Sequence, residues 1–200
     1  MELNREVAQK VLTTVDAGLC RGVGKPIPGQ MCVEAAVCYA LGQPHGDEPQ
    51  CVGAAVRAYK IKLNDSNWSD DKARAKGMRR VAIAQLGSDE IDQNEFRKEV
   101  VIGTVKQLLP IALRAAAKMV PAHAEALEAA AVLCGAVVSF TDARSAAQKS
   151  REAPGPAYAA ADAADAKRDS VLAKAAEIAV QALIKLGSKG AQWLDLCDAA

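Results

Sequence analysis

Residues 29–65 gather the side chains best suited to chemistry. Three of the six cysteines (Cys32, Cys38 and Cys51) and one of the two histidines, His45, fall there. Glu34, Asp47, Arg57, Asn64 and Asp65 lie in the same stretch. Cys51, His45 and Asp47 are the types a thiol- or carboxylate-dependent hydrolase needs: a nucleophile, a base and a group to orient the base. A helix opening at Pro49 would place Cys51 in its first turn, where backbone amides lower a thiol pKa. Cys20, Cys32, His45 and Cys51 also supply a Cys₃His donor set of the kind that holds zinc. Against that, the chain has no Cys-x-x-Cys pair, and two helical cysteines six positions apart, as Cys32 and Cys38 are, point about 120° from each other. The plainer reading has the cysteines as small core hydrophobes. It has Asp47 capping the helix that Pro49 opens, and Asn64 and Asp65 stopping its far end.

Glu34 is the side chain hardest to explain away. Residues 31–41 read as a short helix that is apolar on nearly every face, so it should be buried. An unpaired carboxylate there is costly. Its partner is expected among Arg57, Tyr39, a backbone N–H near His45, or a ligand, with a tie to the 43–48 loop as the structural choice. A cavity beside Glu34 would be rimmed by His45, Asp47, Arg57, Asn64 and Asp65, with Cys51 next to it. These seven residues are the candidate ligand-binding set; no catalytic residue, metal or cofactor is assigned.

The elements that must position them are helices. Leu3, Val7, Val11 and Val15 mark a first helix over 3–20. Gly18, Gly22, Gly24, Pro26 and Pro28 make a loop that no regular element crosses, and Gly42 ends the 31–41 helix. Val52, Ala55, Val56, Tyr59 and Leu63 form the stripe of a helix over 50–63. Ser66 or Ser69 caps the next helix, at 70–86, which Gly87 stops. Another opens at 88–92 and carries Phe96, Val100, Val101 and Val105. Pro110 kinks or restarts it, and Pro121 opens a helix over 122–148. A Pro/Gly break at 151–156 precedes a last long helix over 157–186, whose start is a low-complexity Ala/Asp tract. One or two helical turns end the chain. The expected fold is all-α, a compact bundle of about seven to nine helices. It forms a single domain over 1–200 with a break at 151–156.

Composition agrees. Half of the 200 residues are apolar and only 4% are aromatic, so alanine, the best helix former, dominates. The net charge of +1 gives no field that implies nucleic acid or membrane partners. Lys72, Lys76, Arg79 and Arg80, with Arg74 and Lys98, form a basic strip that reads as a solvated face flanked by acids. Few aromatics are present to stack bases. No apolar run approaches the ~20 residues of a membrane span, and the first residues lack a secretory pattern. A reducing cytoplasm with free thiols is the expected setting.

One resemblance adds to this. The pattern Gly29-x-Met31-Cys32-x-Glu34-Ala35-Ala36, then His45-x-Asp47-x-Pro49-x-Cys51-Val52 and Leu63-Asn64-Asp65, is similar to uncharacterised proteins of bacteriophages and prophage-rich bacterial genomes. Their endings also resemble Arg168-Asp169 and Gln192-Trp193-Leu194-Asp195-Leu196-Cys197. The resemblance covers parts of the first 65 and last 45 residues and carries no established activity. It implies a phage or prophage setting. Within it, the expected function is a non-catalytic accessory or counter-defence protein that binds a small molecule, such as a signalling nucleotide, or a host protein. The alternatives are the hydrolase centred on Cys51, His45 and Asp47, and a structural helical scaffold that forms a homodimer.

Overall fold

A computed structural model describes residues 2–152 and 168–198. Among them the chain forms nine α-helices and two 3₁₀ segments, with one isolated β-bridge, Gly24 to Met31, and no strand. The all-α expectation holds. The chain divides into two compact units. Unit 1 comprises residues 1–96 and 172–200, and unit 2 comprises residues 97–171.

In unit 1, α1 (Arg5–Asp16) is capped by Asn4, whose side chain accepts from Val7 N at 3.0 Å. It buries Val7, Ala8, Val11, Leu12 and Val15 at helical spacing, against α2 (Val33–Ala40) and α4 (Asp71–Ala84). Helix α2 ends in a Schellman turn. Gln43 N donates to Cys38 O at 2.9 Å, Gly42 N donates to Tyr39 O at 3.2 Å, and Gly42 takes φ +66°.

Helix α3 (Ala54–Asn64) starts later than the position of Pro49 suggests. Its N-cap is Gly53, which has no side chain to offer. The free amides are served from a distance instead: Ala55 N by Gln93 Oε1 at 3.0 Å, and Gly53 N by Ser88 Oγ at 3.1 Å. A Cβ on Gly53 would stand 2.2 Å from the Gln93 amide, so glycine makes this arrangement fit. Residues 49–52 are a turn, closed by Val52 N donating to Pro49 O.

The cap of α4 is Asp70, accepting from Ala73 N at 2.7 Å, in place of the expected Ser66 or Ser69. The three arginines of the basic strip on α4 are spent inside unit 1. Arg74 is buried, with Nε donating to Asn64 O (2.8 Å) and Nη1 to Leu19 O (3.0 Å). Arg79 pairs with Asp16, and Arg80 with Glu177. The carboxy-terminal 3₁₀ segment (Lys189–Cys197) lies on α4, where Gly190 N donates to Leu86 O at 2.6 Å. A Cβ at Gly190 would be 2.0 Å from Ile83 O, so only glycine allows that approach.

Unit 2 holds the rest of α5 (Gln93–Gln107), then α6 (Leu109–Met119), a 3₁₀ turn (Pro121–His123), α7 (Ala124–Gly135) and α8 (Phe140–Glu152). Its core is Val105, Leu113, Ala116, Leu127, Ala131, Cys134, Val137, Ala143 and Ala146. Pro110 restarts the chain as α6. The single helix expected over 122–148 is two helices. Ser139 and Asp142 exchange bonds, Asp142 N to Ser139 Oγ (3.1 Å) and Ser139 N to Asp142 Oδ2 (3.0 Å). That reciprocal cap opens α8. The 93–119 stretch is long and apolar enough to cross a membrane by length and composition alone, with mean hydropathy 1.4 over 18 residues. This corrects the expectation that no run approaches that length. The described part of the last helix, α9, is Arg168–Lys185. The expected break falls at the end of α8 and on residues outside those described, as does the low-complexity tract.

Candidate functional site

The partner of Glu34 is Lys60, on α3. Lys60 Nζ stands 2.8 Å from Glu34 Oε1, and both side chains have no exposure at all. The contact is an ion pair at hydrogen-bond distance, and neither side chain has another hydrogen-bond partner among the described residues. Burial pushes the Glu34 carboxyl pKa up and the Lys60 ammonium pKa down, and the attraction between the two opposes both shifts. Taking two charges out of water costs several kcal/mol each, which pairing offsets only in part. The pair is therefore an expense in stability.

None of the expected protein partners holds Glu34. Arg57 pairs with Glu48 at 2.5 Å, and its charge reaches Glu34 only at longer range. Tyr39 is exposed, with Lys10 Nζ over its ring at 5.7 Å. Lys60 escapes a reading in which lysines mark surfaces. Its signal is spacing: Val56, Lys60, Leu63 and Asn64 share the buried stripe of α3.

Beside the pair lies a small cavity of about 90 Å³. Its wall is built from three places: Gly22 and Val23 of the glycine loop, Cys32, Val33 and Glu34 at the start of α2, and Ile61, Asn64 and Asp65 at the end of α3, with Asp47 completing it. Asn64 and Asp65 do more than stop a helix. Asn64 Oδ1 accepts from Val33 N (3.3 Å), and its Nδ2 donates to Cys20 O (3.0 Å) and Asp65 Oδ1 (2.9 Å). Asp65 Oδ1 accepts from Gly22 N at 2.8 Å. These bonds pin the glycine loop over α2 and α3. Gly24 is essential to the loop, since at φ +72° a Cβ would meet Gln30 O at 2.0 Å.

Four of the seven nominated residues, Glu34, Asp47, Asn64 and Asp65, thus line one cavity. The other three do not. His45 donates from Nε2 to Gly24 O (3.1 Å) and so braces the loop tip. Arg57 is held by Glu48. Cys51 lines a separate open crevice with Gln43, Asp89 and Lys189. Asp47 caps no helix, because α3 begins at Ala54, and Cys51 sits in the preceding turn. Burial pushes the Cys51 thiol pKa up, where a helix N-terminus was expected to lower it. The thiols of Cys32 and Cys38 are raised by burial too, Cys38 to about 11. All three are held as neutral thiols, and Cys51 and Asp47, two parts of the alternative hydrolase, line different hollows. Among the described residues no three His, Cys, Asp or Glu side chains are placed to share a metal ion, so the Cys₃His set is not assembled.

Comparison with known proteins finds no matching family model, no similar curated protein and no similar solved structure.

Proposed function

We propose that the protein acts by binding a small molecule, without catalysis, in the cavity between the glycine loop, α2 and α3 of unit 1. One observation carries this reading: residues 31 positions apart in sequence, Glu34 to Asp65, are brought to the wall of one cavity. Their arrangement costs stability at Glu34 and Lys60, and costs of that kind cluster where a fold serves a site. The neutral thiols nearby argue against covalent chemistry. Placed in a phage or prophage genome, as the motif resemblance implies, such a module would withhold a host small molecule.

The test is mass spectrometry of protein purified natively from cells. Val23, half exposed at the wall, is changed to tryptophan (Val23→Trp) to fill the space. The proposal expects a compound that accompanies the parent protein and is missing from the variant. Recovery of the same compounds from both proteins would contradict it.

A further inference from the structure

Arg144 and Arg151 lie two turns apart on α8, about 10 Å along its axis, and both are exposed. Arg5, Arg57, Arg74, Arg79, Arg80 and Arg114 each pair with a carboxylate. Arg144 and Arg151 take neither a hydrogen bond nor an ion pair from a described residue. Both line a groove of about 730 Å³ in unit 2. Its apolar wall is Val101 of α5 with Phe140, Ala143 and Ala147 of α8, and Thr141, Ser145 and Gln148 add polar groups. Among the described residues no acid lines it. Asp142, two residues before Arg144, accepts from Ser139 N instead. We propose that this groove docks an amphipathic helix of a partner protein, whose acidic side chains two turns apart meet Arg144 and Arg151. The site is separate from the cavity of unit 1 and does not depend on the reading above.

Helical geometry sets the match. Thr141, Arg144, Gln148 and Arg151 fall within about 80° of one another around α8. Two carboxylates seven residues apart on a second helix repeat the same rise of about 10 Å. The planar fork of each arginine meets a carboxylate through two parallel bonds. Ala143 and Ala147 end at Cβ, so a helix can come close over them, while Val101 and Phe140 receive its apolar side chains. Complementary charge then fixes the register of the two helices. Other occupants match less of the wall. A small inorganic anion would leave Val101 and Phe140 uncovered. A nucleic acid strand is held by many phosphate contacts, and two arginines supply few.

The experiment is fluorescence anisotropy of a labelled helical peptide titrated with the full-length protein. The peptide carries two glutamates seven residues apart beside a stripe of leucines. The proposal expects saturable binding with a Kd below ~100 μM. Replacing the glutamates by glutamine should weaken it at least ~10-fold. Arg144→Gln and Arg151→Gln should each weaken it by a similar factor while the melting temperature stays put. Val23→Trp should leave it unchanged, which keeps this site distinct from the cavity of unit 1. In ¹⁵N spectra the peptide should move the Val101, Thr141, Ser145 and Gln148 amides. No saturable binding by ~1 mM, equal binding of the glutamine peptide, or binding untouched by both arginine variants would overturn the proposal. So would tighter binding of inorganic phosphate or a single-stranded oligonucleotide through the same two arginines. A dimer by light scattering that dissociates when both arginines are replaced would assign the groove to a second copy and overturn it as well.

Discussion

The two units are built from the same kind of helix and use their interiors differently. Unit 2 packs Val, Leu and Ala around Cys134. Unit 1 buries Glu34, Lys60, Asn64 and Arg74 as well as its apolar core. A core of hydrophobic side chains of the right size is enough to fold, and the described residues of unit 2 bury no charged side chain. Unit 1 carries a desolvated ion pair that folding does not need and a glycine loop tied down by Asn64 and Asp65. Where a fold departs from the cheapest interior, the departure marks the place to seek function.

The largest effects should separate the units by the kind of damage each can repair. Lys60→Met leaves Glu34 buried alone and should cost unit 1 about 3–5 kcal/mol. Adding Glu34→Leu should restore the parent stability or exceed it by ~1–4 kcal/mol, because the costly pair is then gone. Leu113→Ala in unit 2 should cost about 3 kcal/mol through lost contacts and a cavity. Hydrogen exchange read unit by unit measures all three, and a double variant no more stable than Lys60→Met would end the claim that the pair is an expense.

A smaller effect sharpens the role of the loop. Gly22 and Gly24 both have positive φ, but a Cβ at Gly22 meets nothing within 4 Å, whereas at Gly24 it meets Gln30 O and the Cys20 Sγ. Gly22→Ala should cost only ~1 kcal/mol of backbone strain. Gly24→Ala should cost about twice that or more and should disturb the bonds of residues 20–32. Equal melting temperatures for the two variants would show that the loop is not held as described.

The smallest effect is one of pH. Burial raises Cys38 from an ordinary 9.0 to about 11 and Tyr59 from 10.0 to about 12. A folded-state pKa above the unfolded value means the fold holds its proton longer. The stability contributed by Cys38 is thus complete below pH 9.0 and lost as pH rises through about 11. That of Tyr59 is complete below pH 10.0 and lost through about 12. Among the described residues of unit 2, Cys134 shifts the same way. Unit 1 should therefore weaken more steeply in alkali, and Cys38→Ala should flatten its slope between pH 9.0 and 11, as followed by urea unfolding at stepped pH.

Much of the fold was legible from local signals. Gly42 ends α2 and Pro110 restarts the chain because those residues act through their own backbone. The start of α3 was not, since Ser88 and Gln93 cap it from 35 and 38 residues away. The end of α7 was legible in principle, because Ser139-x-x-Asp142 is a capping pattern visible in the chain. Within the site, the burial of Glu34 followed from its apolar helix. Its partner did not, because a lysine is read as a surface residue until its place on the stripe of α3 is weighed. Asp47 lines the cavity, but its reading as a cap followed from the misplaced helix start.

The most direct test of the account is a crystal structure of the protein purified natively from cells. The account predicts density for a small molecule in the cavity walled by Gly22, Val23, Asp47, Asn64 and Asp65, with the Glu34–Lys60 pair intact. A cavity that holds only ordered water would contradict it.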